Sequence, residues 1–141
     1  MVAAVAEVEV DMSNGKVKVT RVIVAHDCGL IANPNGVENQ IEGNVIQGVS
    51  RTLLEEVKFD ARGVQSLDWF TYPVIRYEDI PEIEIVLINR SELGFLGAGE
   101  AALVPIPAAI GNAIFDATGA RLRDVPMTPE RVKAAIEVMA E

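Results

Sequence analysis

Val37, Ile41, Val45, Val49, Leu53 and Val57 fall four residues apart, a row that a strand or short loop cannot present on one side. The spacing predicts an amphipathic helix over 37–57 whose apolar stripe must lie against a second layer. A polar line of Gln40, Asn44, Gln47 and Arg51 runs beside it at the same interval. Gly43 and Gly48 interrupt this helix, each costing up to ~1 kcal/mol relative to Ala. Glycines in such a helix point to close approach of a neighbour or a ligand.

The layer has to come from the rest of the chain. Val2 to Asp11 carries Val5, Val8 and Val10 among acids and reads as a strand rather than a signal peptide. Asn14-Gly15 is a hairpin signal, and Val17, Val19, Val22 and Val24 form the return strand, giving an antiparallel pair. Asp27 to Gly36 is dense in turn residues and reads as a loop. Beyond the helix, Lys58 to Val64 reads as a hairpin tip, Tyr72-Pro73 opens a connection to Pro81, and Ile83, Ile85 and Leu87 mark a half-buried strand. A helix is expected from about Ala108 to Thr118, with Pro at its start and Gly119 just past its end. Arg121 to Pro126 reads as extended, and Thr128-Pro129 caps a last short helix. Strands, helix, strands and helices follow one another without a βαβαβ rhythm, which predicts an α+β fold in a single domain over 1–141.

The net charge of −9, with no basic run, argues against nucleic acid or an anionic membrane surface as a partner. Acids interrupt every apolar run before it could span a bilayer. One cysteine, Cys28, excludes an internal disulfide, and one Cys with one His cannot make a structural zinc site, so no metal ligand set is expected. A reducing, cytoplasmic compartment fits best, with the periplasm as the alternative.

Leu93 to Glu100 places three glycines, Gly94, Gly97 and Gly99, in six positions and ends on a single carboxylate. Such a backbone can lie close to another surface. From spacing alone, Glu100 reads first as an acid near a helix N-terminus, stabilised by ~0.3–1 kcal/mol through the dipole. The bland readings of its companions are equally direct: Gln40 and Gln47 on a solvated helix face, Asp27 closing its own turn, and Cys28 a buried small hydrophobe. His26 reads as a satisfied structural histidine, and Ala109, Ala113 and Ala117 as allowing close helix packing.

Five blocks in order carry a more specific signal: Ala25-His26-Asp27-Cys28-Gly29 with Asn33-Pro34; Asn39-Gln40-Ile41-Glu42-Gly43 with Gln47-Gly48; Tyr72-Pro73 with Arg76; Gly97-Ala98-Gly99-Glu100; and Ala113 to Gly119 with Arg121-Leu122-Arg123. Together they resemble the C-terminal part of the molybdopterin-binding large subunit of the xanthine oxidase and aldehyde oxidase family, of the isoquinoline 1-oxidoreductase β-subunit type.

The resemblance implies a molybdenum hydroxylase that hydroxylates an aldehyde or N-heteroaromatic carbon with water-derived oxygen. It implies Glu100 as general base and Gln40 and Gly43 as contacts to a molybdenum–pterin, expected as molybdopterin cytosine dinucleotide. Gly97, Ala98 and Gly99 would shape the pocket wall. The implied partners are the remainder of the large subunit and a separate 2Fe–2S iron–sulfur subunit. A Glu in an apolar, glycine-lined pocket would have its charged form disfavoured, as a base working near neutral pH requires. Ala101 stands where the family usually has Pro. Such a subunit is several times longer, so the chain is expected to be inactive alone. The other reading is a non-catalytic assembly or interaction domain that kept the fold without the cofactor and covers its apolar surface with copies of itself.

Overall fold

The structure is a computed structural model and describes residues 1–139. Strand β1 (Val2–Val10) turns into β2 (Val17–His26), followed by helix α1 (Pro34–Leu53), a short hairpin of β3 (Phe59–Asp60) and β4 (Gly63–Val64), strand β5 (Glu82–Leu87), and helices α2 (Ile106–Thr118) and α3 (Pro129–Met139). The expected α+β class holds, with hairpin, long helix, further strands and C-terminal helices in that order.

β1 and β2 pair antiparallel, and Gly15 at φ 76° closes a four-residue turn in which Asp11 N–H donates to the Lys16 carbonyl at 2.9 Å. The register shifts between Glu7 and Val8, leaving Thr20 as the extra residue on β2. That bulge explains the spacing of the β2 valines, because one extra residue swaps the faces of everything beyond it. Val19 lies on one side of it and Val22 and Val24 on the other, yet all three are buried on the same face.

β5 adds to the other edge of β2 in parallel, giving the order β1-β2-β5. The chain from β2 through α1 to β5 is therefore a crossover unit, which the sequence pattern does not reveal, because a second hairpin separates α1 from β5. Ile41, Val45 and Val49 of α1 and Ile106, Ile110 and Ile114 of α2 cover the inner face of the sheet and form its core. On α2 the Ile line, not Ala109, Ala113 and Ala117, is the fully buried seam; Ala117 is exposed.

Helix α1 starts three residues earlier than its apolar stripe. Asn33 caps it, its Oδ1 accepting from Gly36 N–H at 3.1 Å, and Pro34 opens the first turn. It also ends earlier, and Val57 is exposed beyond it. The Thr52 carbonyl, which the next turn would need, accepts instead from Met127 N–H at 2.6 Å. The expected stop of α2 is present: Gly119 takes φ 76° and donates to the Phe115 carbonyl at 2.7 Å. Thr128 caps α3.

Candidate functional site

The glycine loop is held against the C-terminal end of β2. Arg90 N–H donates to the Gly29 carbonyl at 3.0 Å and Leu96 N–H to the Cys28 carbonyl at 2.8 Å. Asp27 closes its own turn, accepting from Gly29 N–H at 3.0 Å and pairing with Arg90 at 3.6 Å. Cys28 is buried beside it. A second tether reaches across from α1, where the Asn44 side-chain amide donates to the Gly99 carbonyl at 2.8 Å. That bond grips the residue immediately before Glu100.

Asn44 is the site residue that sequence reasoning passed over. It belongs to the same polar line as Gln40, but it is 4% exposed, whereas Gln40, Gln47 and Arg51 are on the open side. The available signal was its place one turn after Gln40 and between Ile41 and Val45 of the apolar stripe.

The structure brings Gln40, Ala98 and Gly99 to one cavity of about 330 Å³, walled also by Cys28, Asn33 and Phe95. Gly97 lines a neighbouring cavity of about 440 Å³ with His26, Leu96 and Ala101. Gly43 lies one turn along α1 from Gln40, on the exposed side. Glu100 is itself exposed. The enclosing apolar pocket expected for it is not formed by the described residues, because the loop lies open on the side away from β2.

The glycines divide into two groups by what a Cβ would meet. At Gly29 it would strike the Gly94 carbonyl, and at Gly48 it would lie 2.8 Å from Cβ of Ile106, so these two serve packing within the chain. At Gly43, Gly94, Gly97 and Gly99 it would meet nothing within 4 Å. Nothing among the described residues uses the room those four leave; Gly43 lies one turn from Gln40 and Gly99 directly precedes Glu100. The expectation that Gly48 admits a neighbour is thus met by α2.

His26 is buried, and its Nδ1 has no hydrogen-bond partner among the described residues. The expected satisfied structural histidine is therefore corrected: β2 ends with its inward position taken by an imidazole for which the surrounding segments provide no partner. Burial, more than any charge, pushes its pKa below the ordinary value.

A match to the molybdopterin cofactor-binding domain family spans residues 1–81, and relatives extend the likeness through the glycine loop. A nicotinate dehydrogenase subunit of Pseudomonas putida is 49% identical over 134 residues, 95% of this chain and 11% of that one. The chain belongs to this molybdopterin-binding family. The isoquinoline 1-oxidoreductase beta subunit of Brevundimonas diminuta is 37% identical, over 91% of this chain and 16% of its own length. The solved quinoline 2-oxidoreductase of Pseudomonas putida 86 superposes with a TM-score of 0.83 at 33% identity, covering 92% of this chain and 18% of that one. The chain thus corresponds to a segment of xanthine-oxidase-family molybdenum-binding subunits and spans less than a fifth of the length of these relatives. Among the described residues, no helix is long and apolar enough to cross a membrane.

No group of three or more metal-ligating side chains occurs among the described residues. The chain offers instead an open wall of small residues, one outward amide and one carboxylate.

Proposed function

We propose that this chain is the part of a molybdenum hydroxylase large subunit that supplies the general base, Glu100, and one wall of the cofactor site. The observation that carries this reading is the Asn44–Gly99 hydrogen bond of 2.8 Å. It joins the helix bearing Gln40 to the residue immediately before Glu100. When bound, the molybdenum–pterin would supply oxygen transfer and two-electron redox chemistry. Gln40 would donate its amide N–H to the pterin dinucleotide, proposed as the cytosine form. Gly43, Gly97, Ala98 and Gly99 leave the surface shallow enough for a flat group to lie on it. Glu100 would accept a proton at its carboxylate as the water-derived oxygen is activated. The remainder of the large subunit would exclude water from the open side of the loop, raising the basicity of Glu100.

The same proposal includes the single domain over 1–141, the partnership with a 2Fe–2S iron–sulfur subunit and a cytoplasmic location. The relatives named above act, by their names, on nicotinate, isoquinoline and quinoline, in keeping with an N-heteroaromatic carbon as one site of hydroxylation beside an aldehyde.

Glu100→Gln in the assembled enzyme tests the base directly. Turnover is expected to fall by ~10²–10⁴ with molybdenum and nucleotide content unchanged. Normal turnover would remove Glu100 from the reaction. A second reading has one observation in its favour: Phe59, Leu67, Trp69 and Phe70 are exposed together on and after the β3–β4 hairpin. An assembly domain would bury that patch against copies of itself and bind no pterin, so a self-associating chain whose purified assembly lacks molybdenum would favour it.

A further inference from the structure

β1 is an edge strand whose outer side has no neighbour among the described residues. Asp27 N–H donates to the Met1 carbonyl, and the Thr20 hydroxyl to the Glu7 carbonyl, so the odd-numbered residues of β1 turn their backbone groups toward β2. Bonded residues alternate in an antiparallel pair, which turns the N–H and C=O of Val2, Ala4, Ala6, Val8 and Val10 to the free edge. None of the five has a backbone partner elsewhere among the described residues. Their side chains lie inward against α2 and the core, yet all five stay half-buried, where the inward Val22 and Val24 of β2 are 0% exposed. The strands differ in their flanks: β2 is paired on both sides and β1 on one.

Edge strands that stay bare in native proteins are short, broken by Pro or studded with charge. β5, at the opposite edge, follows that rule: it has six residues, Pro81 directly before it, and Glu82 and Glu84 on its outward face. β1 does not. It runs nine residues without Pro, the extra residue of the bulge is on β2, and residues 2–6 hold no charge although Val5 is 61% exposed. Charge enters only in its second half, as Glu7 and Glu9 on the outward face. Left uncovered, such an edge is a template for any strand it meets.

We propose that the free edge of β1 is an interface that a strand from the part of the large subunit outside this chain completes by backbone pairing. The chain spans less than a fifth of the length of its relatives, so most of such a subunit lies elsewhere. The edge specifies its occupant: an extended segment, apolar beside residues 2–6, with Lys or Arg at the outward positions beside Glu7 and Glu9. A second copy fits less well, because it would set the same carboxylates of two chains of net charge −9 along one seam. The added strand would start beside the glycine loop, since Met1 and Val2 wall the cavity of about 440 Å³ that Gly97 and Ala101 line. This inference takes the chain as a segment of a large subunit and does not depend on Glu100 as the base.

Residue-resolved hydrogen exchange tests the pairing, and β1 supplies its own control. In the chain alone at low concentration, the amides of Ala4, Ala6 and Val8 should exchange fast, while those of Ala3, Val5 and Glu9, turned toward β2, exchange slowly. In the assembled enzyme the fast set should slow by about 100-fold or more and match its neighbours. Fast exchange at Ala4, Ala6 and Val8 in the assembled enzyme, or full protection of them in the dilute chain alone, would overturn the proposal. The occupant is identified by a photoreactive benzoylphenylalanine in place of the exposed Glu9 of the assembled enzyme. It should cross-link to a large-subunit segment outside residues 1–141. Capture of a second copy, of a different subunit, or of nothing beyond β2 would overturn the assignment. Normal turnover of Glu100→Gln would remove the base and leave both readouts as they are, so the two failures are distinguishable.

Discussion

The same substitution at two places in one helix should have opposite consequences. Gly43 and Gly48 both sit inside α1, and Ala at either gains about 0.8–1 kcal/mol of helix propensity. At Gly43 the added methyl meets nothing within 4 Å, so the gain stands and Gly43→Ala should stabilise the chain. At Gly48 the methyl would lie 2.8 Å from Cβ and 2.9 Å from Cγ2 of Ile106, itself 1% exposed at the start of α2. Ile is branched at the clashing atom and cannot swing aside at χ1, so α2 must move. Overpacking of this kind costs about 1–3 kcal/mol. Because the propensity gain is common to both variants, their difference is the clash itself. With a urea dependence of about 1–3 kcal/mol/M, the unfolding midpoints should separate by roughly 1 M. Coincident midpoints, or Gly43→Ala below wild type, would refute the division of the glycines into packing and open positions. Gly43→Ala carries a second readout in the assembled enzyme: molybdenum and nucleotide content should fall although the chain itself is more stable. Full cofactor loading in that variant would take Gly43 out of the proposed contact surface.

Asn44→Ala should destabilise the chain by about 1–2 kcal/mol, since the Gly99 carbonyl loses its donor in a partly buried place, while Gln47→Ala on the open face should change stability by less than ~0.5 kcal/mol; urea unfolding that ranks them equally removes the tether. Stability should depend on pH through His26. Its native pKa lies below the ordinary ~6.5, so between the two values the unfolded chain holds a proton that the native chain does not. Stability therefore rises with pH across that window, is fully present above ~6.5, and is lost progressively as pH falls below it. His26→Leu should flatten the curve below about pH 6.5, and an unchanged slope in that variant would show that another group is responsible.

Periodicity made the layers of this fold legible and left their joints obscure. The stripe of α1, the alternation of β5, the Asn-Gly turn and the Gly119 stop each reflect a local rule that tertiary structure had no reason to override. The ends of α1 did not follow from the stripe. At its start a capping Asn and a Pro begin the helix before any apolar residue is needed. At its end a distant backbone N–H from Met127 takes the carbonyl that would have continued it. The parallel docking of β5 was equally hidden, because pairing partners far apart in sequence leave no mark on the pattern of either strand. The bulge at Thr20 did leave one, in the uneven spacing of Val17, Val19, Val22 and Val24, which a strict two-residue period would not produce.

For the site, the loop and its carboxylate could be read from the glycines, but the surroundings of Glu100 could not. Three glycines in six residues say that something comes close without saying from which side. The fold separates the sides. Toward β2 the loop is fastened by the Cys28 and Gly29 carbonyls, and toward α1 by Asn44. At Gly43, Gly97 and Gly99 an added Cβ would meet nothing within 4 Å. A backbone tethered on two sides and bare on the third holds its carboxylate in place while leaving room for a large flat group. A capping acid would need neither the tethers nor the bare face, and this asymmetry supports the proposal of a base that becomes dry only when the rest of the large subunit closes over it.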